Sequence, residues 1–211
     1  MKSEPSPCFA VDIDNVLGRA ELEIQRLFQE VTGKEWPVGM YGSAGGLDSS
    51  AFQGDVIEEI FSRFHEKCIS QLPLLPGAKY TLEVIHRTHR IIIVTARRPY
   101  SRPQTLEWLT RHGLPFDALY HTEEKTEIPE SITLAIDDHP HHLQSYQAVG
   151  ARVFVMDQPW NRHVVDAKVI RITGWDDLLQ WWHVRRIDPW RAISNETPAP
   201  HHFWKRLPIP A

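Results

Sequence analysis

The chain has little cysteine, no excess of positive charge and no long apolar run, and each shortage excludes a class of protein. Its only thiols in 211 residues are Cys8 and Cys68, too few and too far apart for a disulfide framework or a cysteine-ligated zinc site. Both lie in apolar patterns and read as buried free thiols. Asp and Glu number 27 against 23 Lys and Arg, a net charge of −4, so no global positive field is available to hold a duplex backbone and nucleic acid is not an expected partner. The longest apolar stretch, around Ile91–Val94, is strand-sized and far short of the ~20 residues of a membrane helix. Met1–Pro7 is polar and leads into a segment holding two aspartates, unlike a signal peptide. The expectation is a cytoplasmic protein without a membrane partner.

What is present is the composition of a folded domain, 42% hydrophobic and 24% charged. The length suits one domain with a modest insertion, at ~150 residues per domain. Short apolar runs at Cys8–Val11, Arg90–Thr95, Thr133–Ile136, Arg152–Met156 and Val169–Thr173 are rich in β-branched residues and do not alternate, as strands covered on both faces should read. Tyr80–His89, Ser101–His112 (with Ser101 as candidate N-cap), Pro140–Val149 and Gly174–Trp182 read as helices between or after them. Strands alternating with helices predict an α/β fold, a three-layer Rossmann-like arrangement around a parallel sheet.

One stretch breaks the alternation. Arg19–Thr32 and Asp55–Ser70 each carry apolar residues at helical spacing, so two helices follow the first strand before the second arrives. The connection Lys34–Gln53 holds Gly39, Gly42, Gly45 and Gly46 and is long enough to suggest a functional loop. The expected organisation is a core of residues 1–17 and 76–182, a small helical cap over 18–75 inserted after the first strand, and a Pro-rich extension over 183–211.

Chemistry gathers at strand ends. The first strand runs into Asp12-Ile-Asp14, whose carboxylates, two residues apart, project from one side of an extended chain. A later strand ends in Asp137-Asp138. Open α/β sheets bind ligands at that edge. Several carboxylates meeting there would repel by about 4 kcal/mol per pair at ~4 Å and intermediate dielectric, a cost that a hard divalent cation relieves. Oxygen-only ligation suits Mg²⁺ better than zinc. The strand ending at Thr95, with Ala96, Arg97 and Arg98 behind it, supplies donors for an anion with bare oxygens, and Lys125 in Thr122–Thr126 supplies a compact cation.

Asp12-Ile-Asp14, Thr95, Lys125 and Asp137-Asp138, in that order and each at or just beyond a strand, resemble the four motifs of the haloacid-dehalogenase-like phosphatases. Within that superfamily the chain is most similar to the 5′(3′)-deoxyribonucleotidase, or type C 5′-nucleotidase, group, through Leu72–Gly77, Thr122–Thr126, Ile136–Asp138 and Pro159–His163. The resemblance spans roughly residues 8 to 182. Asn15 stands where the group commonly has glycine, and Thr95–Arg98 departs from its usual small-residue turn. The resemblance implies a phosphomonoester hydrolase with Asp12 as nucleophile, Asp14 as proton donor and then base, and Lys125 offsetting the charge of Asp12. Thr95, Ala96, Arg97 and Lys125 would bind the substrate. Mg²⁺ would be held by Asp12, Asp14 (through its carbonyl), Asp138 and, directly or from the outer shell, Asp137. The implied substrate is a small phosphate ester, a nucleoside or deoxynucleoside 5′-monophosphate.

Several features stay outside that set. His139, His141 and His142 read as exposed imidazoles at a polar helix start. Phe61 and Phe64 read as core, while Trp36 and Phe52 are candidates to stack on a base. Trp181, Trp182, Trp190 and Trp204, interleaved with Arg185, Arg186, Arg191, Lys205 and Arg206, fit packing of the last helix, a homodimer contact or a single-stranded nucleic acid. Two rival functions follow: a non-catalytic ligand-binding or regulatory protein that keeps the fold, and a phosphatase acting on nucleic-acid ends.

Overall fold

The computed structural model describes residues 7–36 and 54–187. Six strands form one parallel sheet: β1 (Cys8–Val11), β2 (Arg90–Thr95), β3 (Ala118–His121), β4 (Ile132–Asp137), β5 (Arg152–Met156) and β6 (Val169–Ile172), in the order β3-β2-β1-β4-β5-β6. The strand order reverses between β1 and β4, which places a ligand-binding crevice at their carboxyl ends.

Alternation along the strands builds two cores. Phe9, Val11, Ile91, Ile93 and Phe154 point to one side, where they meet α3 (Ala78–His86), α4 (Arg102–Arg111) and α6 (Trp175–Ile187). Cys8, Ala10, Ile92, Val94 and Val153 point to the other, where Leu143 and Tyr146 of α5 (Pro140–Ala148) cover them. This is the expected three-layer arrangement. Cys8 and Cys68 are both buried free thiols.

α1 (Glu21–Thr32) and α2 (Gly54–Arg63) lie between β1 and α3 in the chain. Their apolar faces, Ile24, Leu27, Phe28 and Ile60, join the larger core rather than forming a separate one. α1 ends where Gly33 turns to φ +69° and its amide closes on the Gln29 carbonyl, a left-handed stop that glycine adopts without a Cβ penalty. The chain from Leu72 onward is tied to α4 and to the loop beyond β1: the Trp108 indole donates to the Leu72 carbonyl at 2.8 Å and the Leu75 amide to the Leu17 carbonyl at 2.7 Å.

The structure corrects four expectations. β3 was not expected, because its four residues, Ala-Leu-Tyr-His, include no β-branched side chain and only Leu119 is buried, leaving no apolar run to recognise. The helix expected over Asp55–Ser70 stops being α-helical at Arg63 and continues as a π-helical turn over Phe64–Cys68 and a 3₁₀ turn over Ile69–Gln71. That wider winding buries the neighbouring Phe64 and His65 together. Ser101 does stand at the N-cap of α4, as expected, although its hydroxyl donates to the Arg98 carbonyl instead of accepting from a helix amide. His139 and His142 are half-buried rather than exposed, their rings 5.2 Å apart. α6 runs on to Ile187, beyond the expected end at Trp182.

Trp182 packs against His89, and Trp181 packs edge-on to Phe154 with Arg152 over its ring. Of the readings open for these two residues, packing of the last helix is what the fold shows. Trp36 meets Phe28 edge-on at 5.1 Å and packs against the core. Gly39, Gly42, Gly45, Gly46, Phe52, Trp190, Arg191, Trp204, Lys205 and Arg206 lie outside the described residues. Among the described residues no helix is long and apolar enough to cross a membrane.

Candidate active site

β1 and β4 are neighbours, and the last rung between them runs from the Asp12 amide to the Ile136 carbonyl at 3.1 Å. Asp12 therefore leaves the sheet beside Asp137 and Asp138. Carboxylate oxygens of all three lie within 4.8 Å of one another, and all three residues are buried. Lys125, on the loop between β3 and β4, reaches into this group. Its Nζ donates to Asp137 Oδ2 and lies against Asp12 Oδ1, each at 2.7 Å.

The electrostatics follow from that geometry. Burial works against the Lys125 ammonium, but Asp12 and Asp137 outweigh it and drive its pKa up. Burial also raises Asp137, yet the Lys125 charge and the bonds from Lys125 and from the His139 amide (2.9 Å) hold this carboxyl below its usual range. Asp12 is pushed up to about 7, by burial first and then by Asp137 and Asp14, with Lys125 pulling the other way. Asp138 is raised well above the usual carboxylate range by burial, Asp137 and Asp12.

With all three carboxylates ionised, one ammonium would leave two negative charges uncompensated, the repulsion that helps raise Asp12 and Asp138. Asp138 Oδ2 is buried without a hydrogen-bond partner, an unfavourable state for a carboxylate oxygen. An all-oxygen donor set, a doubly negative deficit and an orphaned oxygen together fit a hard divalent cation. The backbone of Asp138 is fixed from below: Asn161, fully buried, donates from Nδ2 to the carbonyls of Asp138 and Met156, each at 2.8 Å, while its Oδ1 accepts from Arg171 Nη1 at 2.7 Å.

Asp14 stands apart from the cluster. Its carboxylate is held by Arg97, with Nε 2.9 Å from one oxygen and Nη2 2.7 Å from the other. Arg97 is thereby placed differently from the expectation of an open phosphate donor: its guanidinium is committed to Asp14 and, through Nη1, to Thr105 Oγ1 at 3.3 Å. Thr95 is buried at the end of β2, its Oγ1 accepting from the Arg97 amide at 3.3 Å, and Ala96 is half-buried beside it. Arg98 reaches Glu58 of α2 at 3.1 Å.

Asn15 explains its own departure from glycine. Its φ is +61°, the only positive φ among described non-glycine residues, and Asn tolerates this region better than most side chains. Its Oδ1 accepts from the Glu21 amide at 2.8 Å, satisfying the start of α1.

Two residues at this edge were not expected from the sequence. His65, buried with Nδ1 unpartnered, packs against Phe61, Phe64 and Tyr100, and burial lowers its pKa to about 4. Tyr146 is buried with its hydroxyl unpartnered and feels Lys125, Asp137 and Asp12. Both occupy positions that helical periodicity assigns to core, so no local pattern marks them.

A family described as 5′ nucleotidase, deoxy (pyrimidine), cytosolic type C protein matches residues 8–186. YqfW of Bacillus subtilis, provisionally named a nucleotidase, is 26% identical over 113 residues, 51% of this chain and 58% of that protein. A provisionally named 5′(3′)-deoxyribonucleotidase of Chlorobaculum tepidum is 27% identical over 125 residues, 56% of this chain and 59% of its own. The chain thus spans about three fifths of the length of these relatives. Among solved structures, a haloacid-dehalogenase family hydrolase from Deinococcus radiodurans, with bound phosphate and sodium, superposes with a TM-score of 0.59 at 16% identity over 88% of this chain and 96% of that one. At that identity the likeness is one of fold.

Proposed function

The chain belongs to the cytosolic type C 5′-nucleotidase family, within the haloacid-dehalogenase-like fold, and from that premise we propose that it is a Mg²⁺-dependent phosphatase of nucleoside or deoxynucleoside 5′-monophosphates. The observation that carries this reading is the buried group of Asp12, Asp137 and Asp138 around Lys125 at the sheet's switch point. The phosphate and the cation in the Deinococcus radiodurans structure support the same class of ligand here. The two buried free thiols suit a reducing, cytoplasmic setting.

Asp12 is the nucleophile. Its oxygen forms a bond to phosphorus as the ester oxygen departs, giving an aspartyl-phosphate that water then cleaves. Lys125, 2.7 Å away, favours the ionised form of the attacking carboxylate and faces the charge that builds on the phosphoryl oxygens. Asp14, on the loop just beyond Asp12, gives a proton to the leaving oxygen and takes one from the attacking water. Thr95 and Ala96, at the end of β2, are the hydroxyl and backbone donors to the phosphoryl group. Asp12, Asp138 and the Asp14 carbonyl would hold Mg²⁺, with Asp137 kept by Lys125 as an outer partner. When bound, the ion supplies Lewis-acid stabilisation of the phosphoryl oxygens.

The test is phosphate release over a panel of nucleoside 5′-monophosphates, sugar phosphates and oligonucleotide ends, with and without chelator, for wild type and Asp12→Asn. Release from a 5′-monophosphate in Mg²⁺, abolished by chelator and reduced at least ~10³-fold in the variant, is expected. Full activity of Asp12→Asn would overturn the assignment.

A further inference from the structure

We infer that Arg97 is a positioning residue for proton transfer: it holds Asp14 for donation to the leaving oxygen and is not a phosphate-gripping cation. The inference rests on the phosphatase reading above.

Arg97 is one of the most firmly anchored cations in the fold. Its side chain is about 1% exposed, and burying a guanidinium is tolerable only where it is paired and hydrogen-bonded. The pairing is specific. Two donors form a fork on the two oxygens of Asp14, a third bonds Thr105 of α4, the backbone amide donates to Thr95 Oγ1, and the backbone carbonyl accepts from His121 Nδ1 at 3.1 Å. Attachments from β2, β3 and α4 thus fix the guanidinium. Asp14, by contrast, lies on the loop beyond β1 with its side chain about a fifth exposed, and among the described residues its carboxylate is bonded by Arg97. The fork therefore sets where that carboxylate sits. Lys could supply the charge here but not the planar two-bond geometry.

The chemistry gives this placement a direction. As the Asp12 oxygen bonds to phosphorus and the ester P–O bond breaks, the proton of Asp14 passes to the departing oxygen, leaving Asp14 as a carboxylate. In the second half, water attacks phosphorus, its proton returns to Asp14, and the Asp12–phosphorus linkage breaks; the balance is ester plus water to alcohol plus phosphate. A charged fork bonds the carboxylate left after donation more strongly than the neutral acid before it. Stabilisation that grows along the step accelerates it, and it matters only where the leaving oxygen needs a proton.

The experiment compares kcat/KM for an alkyl ester, a nucleoside 5′-monophosphate, with that for p-nitrophenyl phosphate, whose leaving group departs as an anion unaided. Arg97→Met is expected to lower the alkyl ester by about 100-fold or more, the range of a general acid, and the aryl ester by less than about 10-fold. Arg97→Lys should recover part of the alkyl loss. Asp14→Asn should show the same selectivity, and adding Arg97→Met to it should cost little more, because the two act as a unit. Equal losses on both esters, with weaker inhibition by inorganic phosphate, would show a direct phosphate contact and overturn the inference. An unchanged ratio in Arg97→Lys overturns it too, and that variant decides the matter if Arg97→Met does not fold. A wild-type protein inactive on both esters instead refutes the phosphatase reading itself.

Discussion

Replacing Asn161 with alanine tests whether the carboxylate edge is held by the buried carboxamide beneath it. Asn161 Nδ2 makes two bonds of 2.8 Å, to carbonyls at the ends of β4 and β5, and Oδ1 accepts from the Gln158 amide at 3.2 Å and from Arg171. With the side chain cut to Cβ, two buried carbonyls lose a donor. At about 1–3 kcal/mol for each orphaned group, the loss is roughly 3 kcal/mol once partial relaxation is allowed, or about 6–12 °C in Tm for a domain of this size. Asp138 is the residue whose carbonyl is released, so Mg²⁺ affinity should also fall about 10–100-fold. Urea unfolding with and without Mg²⁺, and calorimetric titration of the ion, read the two effects separately. Asn161→Asp sharpens the test: it keeps the acceptor for Arg171 but turns a carboxylate oxygen toward the two carbonyls, and should be no more stable than the alanine variant. A loss under about 1 kcal/mol with unchanged Mg²⁺ affinity, or an aspartate variant more stable than the alanine one, would refute the reasoning.

Three further outcomes follow from the site. Lys125→Met removes the cation shared by Asp12 and Asp137 and should cost about 3–5 kcal/mol in metal-free protein; Mg²⁺ should then raise Tm more in the variant than in wild type, and an equal rise would count against the charge argument. His65, lowered to about 4 by burial, stays neutral in the fold while the unfolded chain gains a proton from its ordinary value near 6.5 downward. Its contribution to stability is complete above that value and is lost as pH falls toward 4, up to roughly 3 kcal/mol. Urea midpoints at neutral and mildly acidic pH should fall more steeply in wild type than in His65→Phe, and parallel slopes would exclude it. Asp12 works in the opposite sense in metal-free protein: raised to about 7, it binds a proton in the fold before it does in the unfolded chain, so this share of stability is lost as pH rises toward 7. Asp12→Asn should remove that part of the pH dependence in chelator.

The sheet was legible because its signal is local. Runs such as Ile91–Val94 and Val153–Met156 are apolar throughout, and a strand covered on both faces has to be. β3 escaped because Ala118–His121 carries no β-branched residue, whereas β6, the other edge strand, shows Val169, Ile170 and Ile172. The π-helical turn at Phe64–Cys68 escaped because apolar spacing there is compatible with an ordinary helix.

At the site, the residue types and their order fixed which groups arrive at the carboxyl edge, since Asp12, Thr95, Asp137 and Asp138 stand at or just past strand ends and a parallel sheet brings those ends together. Which of them bond to one another was decided only by the folded chain. Arg97 and Asp14 are 83 positions apart and Asn161 and Asp138 are 23 apart. Nothing local says that one guanidinium takes a carboxylate, that Lys125 spans two others, or that an oxygen of Asp138 is left without a donor. Strand and helix patterns record burial, which each segment carries in its own residues; partnership depends on distances between segments, and those exist only once the layers have packed.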